Sequence, residues 1–211
     1  SLDSFEVHVA VGKFQGKYCD ELINDITLHE LGSIKSLSSI FSMVRLLRRL
    51  KPHIIFSTLG YIVTASIASI FSKNKIIIIS RFGNTMSSFL NEQKDQSLVK
   101  YFLQFAVNKL VIYLSDLIIV QSNHMKDDLN RIFSLNDKLL KKIIKINNPI
   151  EFSAINSIKN NSNYDNFFKK NFVFISVGRL DYRKNYEDLL RAFSIVFKEF
   201  PNARLMILGE G

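Results

Sequence analysis

The feature that most constrains the fold is a regular alternation of two kinds of apolar segment. Short, continuous runs rich in Ile, Val and Phe fall at Phe5 to Val11, Ile26 to His29, His53 to Thr58, Lys75 to Arg81, Asp116 to Gln121, Ile143 to Asn147, Phe172 to Val177 and Ala203 to Leu208. A run that is apolar without strict alternation suits a strand covered on both faces, as in a parallel sheet flanked by helices. Longer segments with helical spacing occupy Lys35 to Leu50, Tyr61 to Phe71, Gln96 to Leu114, His124 to Phe133 and Tyr186 to Phe200. Strand and helix in succession predict an α/β fold with a doubly wound, Rossmann-like parallel sheet.

One segment breaks the alternation. Glu151 to Lys170 is rich in Asn, Ser and Lys with no apolar period, and reads as a linker. It separates a first domain over residues 1–150 from a second that begins at residue 171. The second reaches only strand, helix and strand before Gly211, too little to close a core of its own. The expectation is therefore an incomplete second domain and a natural chain that continues.

Charge and residue types narrow the function classes. The net charge is +9, and it is uneven: residues 1–34 carry two Lys or Arg against six Asp or Glu, residues 35–150 seventeen against six, and residues 151–211 nine against seven. The middle segment attracts anions of any kind. Within it, Ile34, Leu37, Phe41 and Val44 follow helical spacing, and Arg45, Arg48 and Arg49 cluster on another face. That face is either the solvated side of a sheet-packing helix or a contact for anionic headgroups or an acceptor. The apolar stretches are interrupted by Asp116 or bounded by Lys75 and Arg81, short of the ~20 residues a membrane-spanning helix needs. The first residues lack the basic and apolar regions of a secretory leader, so the expected compartment is the cytoplasm. A single cysteine, Cys19, excludes an internal disulfide, and His8, His29, His53 and His124 lack metal-ligand spacing. Neither a nucleophile elbow nor a P-loop is found, and no nucleic-acid-binding motif accompanies the basic residues.

The stretch that carries chemistry runs from Ser176 to Phe193. A strand ends in Gly178, a loop follows with Arg179 and Lys184 five residues apart, and a helix opens after Asn185, a candidate N-cap. Glycine permits close backbone approach, a helix N-terminus offers unpaired N–H groups, and the two cations add full charges. In outline this is an anion site beyond the carboxyl end of a strand, where open α/β sheets bind ligands. Spacing alone leaves open that Arg179 and Lys184 are solvated loop charges.

From Val177 to Gly211 the sequence resembles the start of the donor-binding domain of GT-B glycosyltransferases of family GT4. The likeness comprises the Gly-Arg-Leu turn, a Lys just before the helix, the Leu-Leu-x-Ala-Phe helix, Pro201, then a strand and Gly-x-Gly. Upstream, Lys51 to Ser57 resembles the family's Pro-led entry to a strand, with His53 where Asp is usual. Asp116 to Ser122 resembles a strand leading to a helix-capping Ser, and Asn147-Asn148-Pro149 the hinge into the linker. The resemblance implies a GT-B architecture in which Gly178, Arg179 and Lys184 hold the donor diphosphate, while Gly209, Glu210 and Gly211 lie near the donor nucleotide. Where many members carry a His after the strand ending at Ser80, this sequence has Arg81-Phe82-Gly83-Asn84, which makes Arg81 and Asn84 the candidates for that position. The family's first strand with its Gly-rich loop, and its downstream pair of Glu residues, are not matched. The implied activity is transfer of a hexose-type sugar, with retention, from a nucleoside diphosphate sugar to a glycan or lipid-linked glycan. It needs no metal and no cofactor beyond the donor, involves no nucleic acid, and takes place in the cytoplasm or at the cytoplasmic face of an anionic membrane contacted by Arg45, Arg48 and Arg49. Rival readings are a non-catalytic GT-B relative, a basic anion-binding module and a GT-B sugar-nucleotide epimerase.

Overall fold

The computed structural model describes residues 5–15, 26–33, 37–150 and 165–211. The chain divides into two compact units, Ser1–Pro149 and Ile150–Gly211. In the first, β1 (His8–Val11) pairs in parallel with β2 (Thr27–Glu30). A 3-10 turn at Leu37–Ser39 leads into α1 (Ile40–Leu50), followed by β3 (Ile54–Thr58), α2 (Tyr61–Phe71) and β4 (Ile77–Arg81). Then come α3 (Met86–Gln96), α4 (Leu98–Leu114), β5 (Leu117–Val120), α5 (Asn123–Phe133), the four-residue α6 (Asp137–Leu140) and β6 (Ile143–Lys145). Strands β3 to β6 form one parallel sheet in that order, with Ile54 opposite Ile77, Ile79 opposite Leu117 and Ile118 opposite Ile143. The β1–β2 pair is a separate sheet.

Continuous apolar strands work here because the register stacks like with like. Ile78, Ile118 and Ile143 lie on one face and are buried. Ile118 and Val120 from β5 meet Ile112 of α4 and Leu129 of α5 in the main core. A second cluster joins Met43, Leu46 and Leu47 of α1 to Ala68 of α2 and Ile76. On the other face Ile54, Phe56 and Ile77 are exposed among the described residues. Two polar groups of β4 are paired: the Ser80 and Ser115 hydroxyls are 2.8 Å apart, and the Ile78 N–H donates to the Asp116 carboxylate at 2.8 Å.

The second unit contains α7 (Asp165–Lys170), β7 (Phe172–Val177), α8 (Tyr186–Glu199) and β8 (Ala203–Leu208), with β7 and β8 paired in parallel from Phe172 opposite Ala203 to Val177 opposite Leu208.

All eight expected strands form, several trimmed at their ends. Ser122 caps α5, accepting a hydrogen bond from the Met125 N–H at 3.2 Å. Three helices were not expected. Helix α3 has a weak apolar pattern, α6 is a single turn capped by Asn136, and α7 occupies the end of the segment read as a linker, whose residues 151–164 lie outside the described residues. Helix α1 starts at Ile40 rather than Lys35, and Ile34 lies outside the described residues. Its inward face is Met43, Leu46 and Leu47. Phe41, expected on the apolar face, is 85% exposed on the outer one because three better-placed residues already fill the contact with α2.

Candidate functional site

The site grows out of the carboxyl ends of β7 and β8. The parallel ladder continues past both strands: the Gly178 N–H donates to the Leu208 carbonyl at 2.9 Å, and the Leu180 N–H to the Glu210 carbonyl at 3.0 Å. Two strand-end loops therefore run side by side as one floor. Glycine makes that approach possible. A Cβ on Gly209 would overlap the Gly178 carbonyl oxygen, and one on Gly211 would lie 2.5 Å from the Leu180 oxygen. The two glycine-bearing segments singled out in the sequence are thus one structure, a relation that spacing along the chain does not reveal.

The loop after Gly178 folds back on itself. The Tyr186 hydroxyl donates to the Gly178 carbonyl at 3.1 Å, and the Lys184 stem packs over Gly178. Asp181 caps the 3-10 turn Tyr182–Lys184 by accepting the Arg183 N–H at 3.0 Å. It also takes Nη2 and Nε of Arg183 at 3.1 and 3.3 Å. These hydrogen bonds, aided by the charges of Arg183 and Arg179, hold the Asp181 carboxyl at about 2, below its usual range. Asp181 and Arg183 neutralise one another, so the open cations of the loop are Arg179 and Lys184. Both are exposed, and among the described residues neither has an ion-pair partner.

Asn185 departs from expectation. It adopts a left-handed conformation, φ 50°, with no side-chain cap, and its amide instead donates to the Asp188 carboxylate at 2.7 Å. The first turn of α8 also carries Glu187 and Asp188, which answer part of the helix dipole. The positive character of this loop therefore rests on Arg179 and Lys184 more than on the helix end. Tyr186 and Arg183 were not singled out in the sequence, since their roles depend on how the loop turns back.

In the first unit, Arg81 is half-buried and hydrogen-bonded. Its Nη1 donates to Thr58 Oγ1 at 3.0 Å and its Nη2 to Asn148 Oδ1 at 2.7 Å, tying the ends of β3 and β4 to the turn after β6. Asn84 lies apart from that network, on the wall of a cleft of ≈ 400 Å³. The cleft opens at the carboxyl ends of β3 and β4, between Leu59-Gly60, Phe82-Gly83-Asn84 and helices α2, α3 and α4. Leu59, at φ 54°, holds a left-handed backbone that side chains rarely adopt. Of the arginines on α1, Arg48 donates through Nε and Nη2 to the Phe71 carbonyl at 3.1 and 2.9 Å. Arg49 Nη2 lies 3.3 Å from His29 Nδ1. Arg45 is exposed. Among the described residues no helix is long and apolar enough to cross a membrane, and no group of three metal-ligating side chains occurs.

Parallel, Rossmann-like sheets define the class of fold, and comparison with known proteins gives the family. Residues 1–122 match the family described as Glycosyl transferase 4-like, and residues 157–211 match Glycosyl transferases group 1. The chain belongs to the glycosyltransferase 4-like family. It is 30% identical over 196 residues to an uncharacterised glycosyltransferase of Methanocaldococcus jannaschii, covering 86% of this chain and 45% of that protein. Among solved structures it is similar to S. aureus MnaA in a co-structure with UDP, with a TM-score of 0.56 and 16% identity over 94% of this chain and 53% of the other. The latter likeness is one of fold. The chain spans about half the length of both relatives.

Proposed function

We propose that the protein transfers a hexose-type sugar from a nucleoside diphosphate sugar to a glycan or lipid-linked glycan, with retention and without a metal ion. The observation that carries this reading is the shared glycine floor at the ends of β7 and β8, flanked by Arg179 and Lys184 with no ion-pair partner among the described residues. A departing diphosphate gains negative charge as the sugar bond breaks, and two open cations over exposed backbone favour that state over the bound ground state. Family membership and the UDP held by the structural neighbour support the same donor class. Gly209, Glu210 and Gly211 stand beside the loop on the side assigned to the nucleotide. Asn84 faces the cleft at the ends of β3 and β4, which we assign to the acceptor, while Arg81 acts by positioning the strand ends.

The reaction takes place in the cytoplasm, at the face of an anionic membrane that Arg45, Arg48 and Arg49 contact reversibly. The outward Phe41 shares the helical face of Arg45 and Arg48, as in helices that lie at a bilayer surface. Because Arg48 and Arg49 also bond to Phe71 and His29, Arg45 is the freest of the three.

The test is turnover with a panel of nucleoside diphosphate sugars. Replacing Arg179 or Lys184 with Ala is expected to lower kcat at least ~10-fold. Normal turnover in both variants removes the diphosphate assignment, and donor conversion that needs no acceptor replaces transfer with epimerisation.

A further inference from the structure

The cleft at the ends of β3 and β4 has a chemistry that a sugar does not explain. Ile62, Phe82, Met86 and Val107 line it, with Asn84 and Asn108 among its few polar groups. A sugar brings many hydroxyls, and most of them would lose water here without gaining partners. Buried Asn108 donates to the Gln104 carbonyl at 2.8 Å, and its Oδ1 accepts no hydrogen bond among the described residues. Three amide side chains, Asn84, Gln104 and Asn108, in an otherwise apolar slot of ≈ 400 Å³ suit a mostly hydrocarbon ligand with a polar end, and the volume lies within the ~300–1,000 Å³ of small-molecule sites.

The outer rim of the cleft is Leu103, which also belongs to an exposed stripe on α4. Val99 (77% exposed), Phe102 (65%), Leu103, Leu110 and Tyr113 recur at helical spacing along this 17-residue helix. The helix contains no acidic residue, and Lys100 and Lys109 flank the stripe. With aromatic side chains of ~150–250 Å² each, the stripe exposes on the order of 500 Å², enough to mark an interaction surface. It is smaller than the ~800 Å² each partner buries in a stable protein pair, and two copies would bring their lysines together. A chain with an anionic head matches both parts: its hydrocarbon suits the stripe and cleft, and its charge suits the lysines.

We propose that this cleft binds the hydrocarbon chain of an anionic, lipid-type acceptor, which enters over the α4 stripe. The inference rests on the transferase reading for its biological role and names the apolar half of the acceptor. Its binding step requires neither donor nor turnover.

The experiment is calorimetric titration of the 211-residue chain with farnesyl phosphate, kept below micelle formation and without sugar nucleotide. Farnesol and inorganic phosphate serve as the chain-only and head-only probes. Saturable binding of farnesyl phosphate is expected, with weaker binding of farnesol and none of inorganic phosphate. Val107→Trp, which fills the cleft, is expected to reduce affinity at least 10-fold. Leu103→Asn, on the exposed rim and therefore harmless to folding, is expected to reduce it at least 5-fold at unchanged Tm. Unchanged affinity in both variants overturns the proposal, as does equal competition by inorganic phosphate. So does concentration-dependent dimerisation that Phe102→Ser abolishes, since the stripe then serves a second copy. Failure here leaves the roles of Arg179 and Lys184 standing, and their failure leaves this site standing.

Discussion

Glu6 just before β1, His8 on β1, His29 on β2 and Arg49 on α1 form a chain of polar contacts. The Glu6 carboxylate can only accept, so His8 Nε2, 3.1 Å away, carries a hydrogen. His8 Nδ1 lies 3.0 Å from His29 Nε2, and His29 Nδ1 accepts from the Arg49 guanidinium at 3.3 Å. A proton added to His29 meets the arginine head-on. Burial first, then the charges of His8 and Arg49, lower the His29 pKa below its ordinary 6.5. The unfolded chain therefore binds more protons just below 6.5, and stability present above that value is lost as pH falls through it. Thermal melts at pH 7.5 and 5.5 are expected to show a lower Tm at the acid end, with a smaller drop in His29→Gln; an equal drop in the variant places the effect elsewhere. At the other end of the chain, Gly209→Ala forces apart two backbones that now touch. It is expected to destabilise the β7–β8 pair by about 2 kcal/mol or more, as overpacking does. Gly60→Ala, with nothing within 4 Å of the new Cβ, is the control and should change stability by less than ~0.5 kcal/mol in denaturant melts.

Helix α3 shows how one element is fixed by another. Its Thr85 N-cap makes no capping bond, the hydroxyl donating instead to Ser88 at 2.9 Å. The cap comes from Asp128 on α5, whose fully buried carboxylate accepts the Ser87 N–H at 2.8 Å and Arg131 Nη2 at 2.7 Å. Burial alone would raise the Asp128 pKa, but these hydrogen bonds and the arginine charge outweigh it and leave the carboxyl below its usual value. The carboxylate's contribution is thus present at neutral pH and lost in acid. Removing it strands a helix end inside the protein. Asp128→Ala is expected to cost about 2–3 kcal/mol, and Asp128→Asn less, since one acceptor oxygen survives. Equal losses in the two variants, measured by urea unfolding, would falsify the capping role. Because α3 forms a wall of the cleft, the same substitution should also weaken ligand binding there.

The two units differ in how much they bury. The first centres on Leu90, Ile112, Ile118 and Val120, each at most 1% exposed, whereas Ala203 is the buried hydrophobic side chain of the second among its described residues. Phe172, Ile175 and Val177 of β7 are exposed. Local opening costs least where apolar burial is least, so amide hydrogen exchange should be slowest in β4 and β5 and much faster across β7, α8 and β8. Equal protection in both units contradicts this ranking.

Strand positions and the parallel class were legible in the sequence because unbroken Ile, Val and Phe runs have few other ways to leave water. Ser122 was legible as a cap through the family resemblance, and the bond itself is a local event within one helix end. The candidate loop was legible as residue types, because Gly178, Arg179 and Lys184 fall within seven residues of one another along the chain. Tertiary structure alone decided what depends on residues far apart. It stacked Gly209 and Gly211 on the earlier loop, turned Arg81 into a tie to Thr58 and Asn148, and gave α3 a cap 41 residues away. It also left the α4 stripe facing outward, although its composition reads as core. Periodicity records which face of an element is apolar, and only packing determines whether the chain itself covers that face.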